Sequence, residues 1–166
     1  NLLMSIAAAL LSKLNIKKII KKIKKIKPLD GRLEKIGNLK NNSKVILDYA
    51  HTPEALKECI NNIRDQFSNR KISLVFGCGG DRDIQKRSIM GKIANELCNK
   101  IYLTDDNPRT ENPSKIRADI KKNINSKKLI EIPSRFHAIK TAINMSESDE
   151  IIIVAGKGHE NYQEYK

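Results

Sequence analysis

From residue 43 onward the chain alternates short β-branched runs with amphipathic stretches, and this alternation leaves few architectures open. Extended runs fall at 43–49, 71–77, 100–105, 128–133 and 150–156, and helical patterns at 53–67, 86–98, 114–124 and 135–145. Four helices set between five strands predict repeated βαβ units and a mostly parallel sheet. Right-handed crossovers then place helices on both faces, giving a Rossmann-like α/β fold.

A different pattern precedes it. Residues 2–14 are rich in Leu and Ala and predict a helix. Residues 15–27 read NIKKIIKKIKKIK, with Ile16, Ile19, Ile20, Ile23 and Ile26 forming a helical stripe opposite a lysine face. Such a stripe fits a helix packed on its own protein better than one lying on a membrane surface. Pro28 is expected to stop this helix, with PLDGR as a linker into the periodic region. The chain starts with Asn inside a helical pattern, so it reads as a piece of a longer protein.

The unusual residues all follow predicted strands: DYAHTP, FGCGGDRD, TDDNPRT and AGKGHE. In an open parallel sheet the carboxyl ends of the strands share one edge, where ligands bind. The opposite ends are introduced by plain Ser, Lys, Asn and Glu. That asymmetry predicts a functional rim.

Each motif also has an ordinary turn reading. In FGCGGDRD the glycines permit a sharp turn and close approach to a ligand, and two acids flanking Arg82 could hold its guanidinium ready for a carboxylate. In TDDNPRT, Pro108 holds Asn107 extended and is expected to aim its amide out of the turn, while Arg109 offers a fork for a carboxylate. In AGKGHE, Gly156 and Gly158 loosen the backbone, and Glu160 could pair an amino group. In DYAHTPEAL, Asp48 could accept from ribose hydroxyls, although a turn-stabilising Asp is the commoner case, and His51 follows it. No spacing suggests a catalytic triad, and the three histidines lack metal-ligand spacing.

Composition narrows the class. A net charge of +13 would suit a basic nucleic-acid-binding module. Yet 24 Lys against 8 Arg, with 25 Ile and 16 Asn, indicates a chain-wide residue bias rather than a selected basic patch. Aromatics make up only 4%, too few for base-stacking platforms. No nucleic-acid partner is therefore expected. Three scattered cysteines without a CxxC suggest neither disulfides nor zinc and fit a reducing, cytoplasmic compartment. No apolar run approaches the roughly 18 residues of a membrane span.

Taken together and in this order, DYAHTPEAL, VFGCGGDRD with Met90 behind it, TDDNPRTENP and VAGKGHENYQ resemble the C-terminal domain of the Mur ligase family, in its tripeptide-synthetase branch. GRLE at 31–34 looks like the family's linker motif, and the opening NLL like the end of its central ATPase domain. The resemblance implies a division at residues 1–30 and 31–166, the first belonging to the central domain and the second to the amino-acid-binding domain. It also implies a cytoplasmic, monomeric enzyme that uses ATP and Mg²⁺ to join meso-diaminopimelate to UDP-MurNAc-L-Ala-D-Glu through an acyl phosphate, with no membrane partner.

By motif match, Arg82, Asn107, Pro108, Arg109, Gly156 and Glu160 would line the diaminopimelate pocket. Asn1, Arg32, Asp48 and His51 would face ATP. The P-loop, the magnesium ligands and the modified lysine would lie upstream, so no catalytic residue is expected in this chain, and alone it should be inactive. Ser134-Arg135 stands where the family usually has a Gly/Asp-Arg pair, and IQKRS after GGDRD matches loosely. Members that add L-lysine tend to lack the arginine at the position of Arg109, which favours diaminopimelate over lysine.

Overall fold

The computed structural model describes residues 2–26 and 29–166. The helix stop expected at Pro28 and the nucleotide contact expected of Asn1 lie outside the described residues.

Two helices come first, α1 (Leu2–Leu11) and α2 (Ile16–Ile23). Asn15 caps α2 by accepting from Lys17 N. The helix ends at Ile23, short of the 15–27 stretch expected. Lysines four apart, such as Lys17 with Lys21 and Lys18 with Lys22, repel along its exposed side, and its first turn has no acidic residue to offset them. Neither helix buries a residue. Their apolar sides face one another across a groove that includes Ile6, Ala9, Ile19 and Ile23, while Ile16, Ile20 and Ile26 stay exposed. No helix among the described residues is long and apolar enough to cross a membrane.

The remaining chain builds a six-stranded sheet. Its strands are β1 (Glu34–Asn38), β2 (Lys44–Asp48), β3 (Ile72–Phe76), β4 (Lys100–Leu103), β5 (Leu129–Glu131) and β6 (Ile151–Ala155), in the order β1-β2-β6-β3-β4-β5. The five expected strands all form and pair in parallel. β1 was not expected. It pairs antiparallel with β2 at the sheet edge, with a register shift between Lys35 and Gly37.

Direction of travel decides which face each helix covers. From β2 to β3, β4 and β5 the chain moves one way across the sheet, so right-handed crossovers put α3 (Pro53–Gln66), α4 (Gln85–Leu97) and α5 (Pro113–Lys121) on one face. The return from β5 to β6 reverses direction and sends α6 (Arg135–Asn144) to the other. Strand alternation follows suit. Ile151, Ile153 and Ala155 pack with Leu56, Ile60, Met90 and Ile120 from the three-helix side, while Ile152 and Val154 pack with Ala138 and Ala142 of α6.

β6 therefore lies between β2 and β3, and the loops after β2, β6, β3 and β4 are brought side by side. At the opposite edge the polar residues serve the fold. Glu147 receives Lys71 at 2.6 Å and Lys100 at 2.9 Å, and Ser43 Oγ donates to its carbonyl at 2.6 Å.

Candidate ligand site at the carboxyl edge of the sheet

The four strand-end loops enclose a cleft of about 600 Å³. His51, Arg82, Asn107, Arg109, Gly156 and Glu160 line it together, with Tyr49, Cys78, Lys86 and Asp106. Six of the ten sequence-predicted site residues thus meet in one concavity.

Close backbone approach makes that possible. A Cβ on Gly80 would sit 1.9 Å from the Pro108 carbonyl oxygen, and one on Gly77 2.2 Å from that of Thr104. The glycines let the loop after β3 lie directly on the loop after β4. Pro108 supplies this packing surface and does not line the cleft.

Arg109 takes a left-handed φ of +53°. Its Nη1 donates to the Gly80 carbonyl at 2.8 Å, and its Nε pairs with Glu164 at 3.1 Å. The segment following the AGKGHE loop comes back over the end of β4. There Glu164 N donates to Asn107 Oδ1 at 2.9 Å, and Arg109 N donates to the Glu164 carbonyl at 3.0 Å.

The Asn107 amide points inward, contrary to expectation. It is 5% exposed, and its Oδ1 also accepts from Lys157 Nζ at 2.9 Å. Buried donors drew the amide in, overriding the outward aim that Pro108 suggested. Lys157 Nζ makes a second bond, to Glu160 Oε2 at 2.9 Å, and Glu160 Oε1 accepts from the Tyr49 hydroxyl at 3.1 Å. The nearby carboxylate pushes the Tyr49 hydroxyl up. Burial pushes the Glu160 carboxyl up, but Lys157 and Tyr49 outweigh it and hold the group below the usual carboxylate range.

Arg82 is not held by its flanking acids. The Asp81 carboxylate bonds Thr110 N and Oγ1 instead, which lowers its pKa, and Asp83 Oδ1 accepts from Gln85 N at 2.8 Å. Both acids satisfy backbone donors at turns, the stronger local demand. Arg82 bonds only the Asp81 carbonyl, at 3.3 Å, among the described residues, so its exposed guanidinium is open to the cleft.

The residues expected at the nucleotide divide. His51 lines the cleft, and its Nδ1 lies 2.9 Å from the Tyr49 carbonyl. A carbonyl only accepts, so Nδ1 carries a proton. Arg32 stacks over the Tyr49 ring, 4.7 Å from its centroid, and that ring also meets His51 edge-on at 4.8 Å and His159 at 5.8 Å. Gly31, at φ +69°, brings Arg32 there, because a Cβ at Gly31 would lie 2.4 Å from His159 N. Asp48 is buried below the cleft. Its two oxygens accept from Leu33 N and Ala50 N, each at 2.8 Å, which is the turn-stabilising role.

Two cleft features escaped the sequence reading. Asp106 lines the cleft, and its carboxylate bonds no group among the described residues; Oδ2 lies 2.9 Å from where a Cβ on Gly156 would be. Lys86 lines the cleft too, with Nζ donating to the His51 carbonyl at 2.9 Å. The doubled Asp105-Asp106 was the available signal for the first. Its members have opposite fates, since Asp105 is buried against Arg117.

This geometry has close counterparts. Residues 31–158 match the family described as Mur ligase, glutamate ligase domain. The chain belongs to the Mur ligase family. It is 45% identical over 147 residues to the UDP-N-acetylmuramoyl-L-alanyl-D-glutamate–2,6-diaminopimelate ligase of Rickettsia felis, a match covering 88% of this chain and 27% of that protein. A solved structure of a ligase of the same name superposes with a TM-score of 0.74 at 38% identity, over 96% of this chain and 32% of the other. The UDP-N-acetylmuramate-alanine ligase of Thermotoga maritima shares the fold, with a TM-score of 0.69 at 18% identity over 93% of this chain and 33% of that one. The chain thus spans about a third or less of these relatives' lengths.

Proposed function

We propose that the chain is the amino-acid-binding part of an ATP-dependent ligase that joins meso-diaminopimelate to UDP-MurNAc-L-Ala-D-Glu in peptidoglycan synthesis, in the cytoplasm and as a monomer. In this reading residues 31–166 form the amino-acid-binding domain, and residues 1–30 belong to a central ATP-binding domain. The observation that supports it best is the charge inventory of the cleft. Two guanidiniums, Arg82 and Arg109, converge in one concavity with the carboxylates Glu54, Asp83, Asp106 and Glu160 and with Lys86. Diaminopimelate has two carboxylates and two ammoniums, one pair at each end, and a cleft that offers both signs of charge can pair both ends. Lysine has an ammonium but no carboxylate at its distal end.

Each residue then has a definable role. Arg109, braced by Gly80 and Glu164, presents its remaining donors to the distal carboxylate. Arg82 contacts a second carboxylate. Asp106 anchors one ammonium, and Glu160, braced by Lys157 and Tyr49, faces the other. Gly156, with φ +110°, keeps the wall open beside Asp106. ATP supplies the phosphoryl group that converts the D-Glu γ-carboxylate to an acyl phosphate. The bound amine forms the new amide bond at that carbonyl, the C–O bond to phosphate breaks, and the amine's surplus protons are released.

Arg32 and His51 at the rim suit the phosphate or ribose edge of a nucleotide, with the Tyr49 ring in contact with both as their support. Magnesium in this reading is held with ATP by the central domain.

Product analysis tests the proposal. Incubating the full-length protein with ATP, magnesium, UDP-MurNAc-L-Ala-D-Glu and meso-diaminopimelate should yield a nucleotide heavier by one diaminopimelate residue in mass spectrometry. Unchanged nucleotide would contradict it.

A further inference from the structure

Lys157 bridges two loops of the cleft and is 5% exposed. Its ammonium donates to Asn107 Oδ1, beyond β4, and to Glu160 Oε2, beyond β6, both at 2.9 Å. The third side of the ammonium faces the Tyr162 ring, 5.0 Å from its centroid. A buried cation is tolerated only where such partners surround it, so the three groups fix one another. The bond to Oδ1 also decides the orientation of the Asn107 amide, since Lys157 and Glu164 N both need the oxygen, and the NH₂ must face away from them.

From this we infer that Lys157 is a positioning residue for amino-acid binding. It sets the amide orientation of Asn107 and the charge of Glu160 without itself touching the substrate. The inference rests on the amino-acid-binding reading given above and adds to it a residue that organises the pocket from beneath. Around Glu160, Lys157 and Tyr49 are the hydrogen-bonded charged or titratable groups, Asn107 adds its amide, and Arg135 of α6 acts from the opposite face of the sheet.

The sign of the pH effect follows. Lys157 and Tyr49 hold the Glu160 carboxyl low against the effect of burial. Replacing Lys157 by a neutral residue removes the cation and raises that pKa, so Glu160 takes up a proton at higher pH.

Two measurements test this. In the full-length protein, Lys157→Met should raise the KM for diaminopimelate about tenfold or more, the effect of losing hydrogen bonds to a charged group. The KM for ATP should change little, and the acidic limb of kcat/KM for the amino acid should move to higher pH. Lys157→Arg, which keeps the charge, should leave that limb near its wild-type position. Equal increases in both KM values with an unmoved acidic limb would overturn the inference.

The second measurement needs no substrate. A carbon-13 NMR titration of the Glu160 carboxyl in the free protein should show a midpoint below the usual carboxylate range, rising in Lys157→Met. An unchanged midpoint overturns the brace even in an active enzyme. A rising midpoint upholds it even if diaminopimelate proves not to be the substrate.

Discussion

Arg109 donates through Nη1 to the Gly80 carbonyl at 2.8 Å, tying the loop after β4 to the loop after β3. Glu164 holds Nε from the other side at 3.1 Å, and Nη2 has no partner among the described residues. The guanidinium is therefore fixed at two corners and open at the third, the preorganised state a carboxylate clamp needs.

Removing the clamp should be selective. Arg109→Ala is expected to raise the KM for diaminopimelate on the order of a hundredfold, as losing one partner of a desolvated charge pair does. The KM for ATP should stay nearly constant. Steady-state kinetics with each substrate varied in turn checks this, and equal losses for both would assign Arg109 a structural role.

Gly80 should tolerate no side chain. A Cβ there would sit 1.9 Å from a backbone oxygen of Pro108, so the two loops must separate. Gly80→Ala should cost at least about 2 kcal/mol. In a domain of this size that lowers Tm by about 4–8 °C. Calorimetry would detect it, and an unchanged Tm would show that the loops move apart freely.

Arg87 of α4 is fully buried, with Nη2 2.7 Å from Glu111 and Nη1 3.3 Å from Asp119. Arg87→Met should destabilise the fold by about 3 kcal/mol. Glu111 is held below the usual carboxylate range mainly by Arg87, and Asp119 by Lys122 first and then Arg87. Lowered folded-state pKa values mean a stabilisation complete above the ordinary carboxylate range and lost as pH falls through the folded values. The stability gap between wild type and Arg87→Met should therefore narrow in acid, as denaturant melts at several pH values would show.

Cys78 lines the cleft, yet burial pushes its thiol up to about 12. It should resist iodoacetamide near neutral pH in the folded protein and react once denatured. Peptide mapping after a timed exposure reads this directly. Rapid labelling of the native protein would mean that the cleft opens beyond the geometry described.

The five parallel strands were legible because buried strands read as runs such as IIIVA, bounded by glycine and proline. β1 was not, since EKIGN is short, half-exposed and interrupted by Gly37, and its pairing comes from the free edge of β2 rather than from its own pattern. At the site, spacing placed the motifs on one rim because parallel topology leaves them no other edge. It did not reveal which charges would be used internally. Arg82 and its flanking acids looked like one unit, yet turn donors claimed both acids. Asp105 and Asp106 are adjacent and chemically alike in sequence, and only the fold separates them, by pairing the first with Arg117. Asp81 is claimed by Thr110, 29 residues on, and Asp105 by Arg117, 12 residues on, contacts that local pattern does not encode.

ADP release tests most directly whether this cleft selects an amino acid with a distal carboxylate. The full-length protein would receive ATP, magnesium and UDP-MurNAc-L-Ala-D-Glu, with either meso-diaminopimelate or L-lysine. Release that depends on diaminopimelate and is at least about a thousandfold less efficient with lysine is the predicted result, in line with the penalty for leaving a charged site unpaired. Comparable release with L-lysine would contradict the Arg109 clamp.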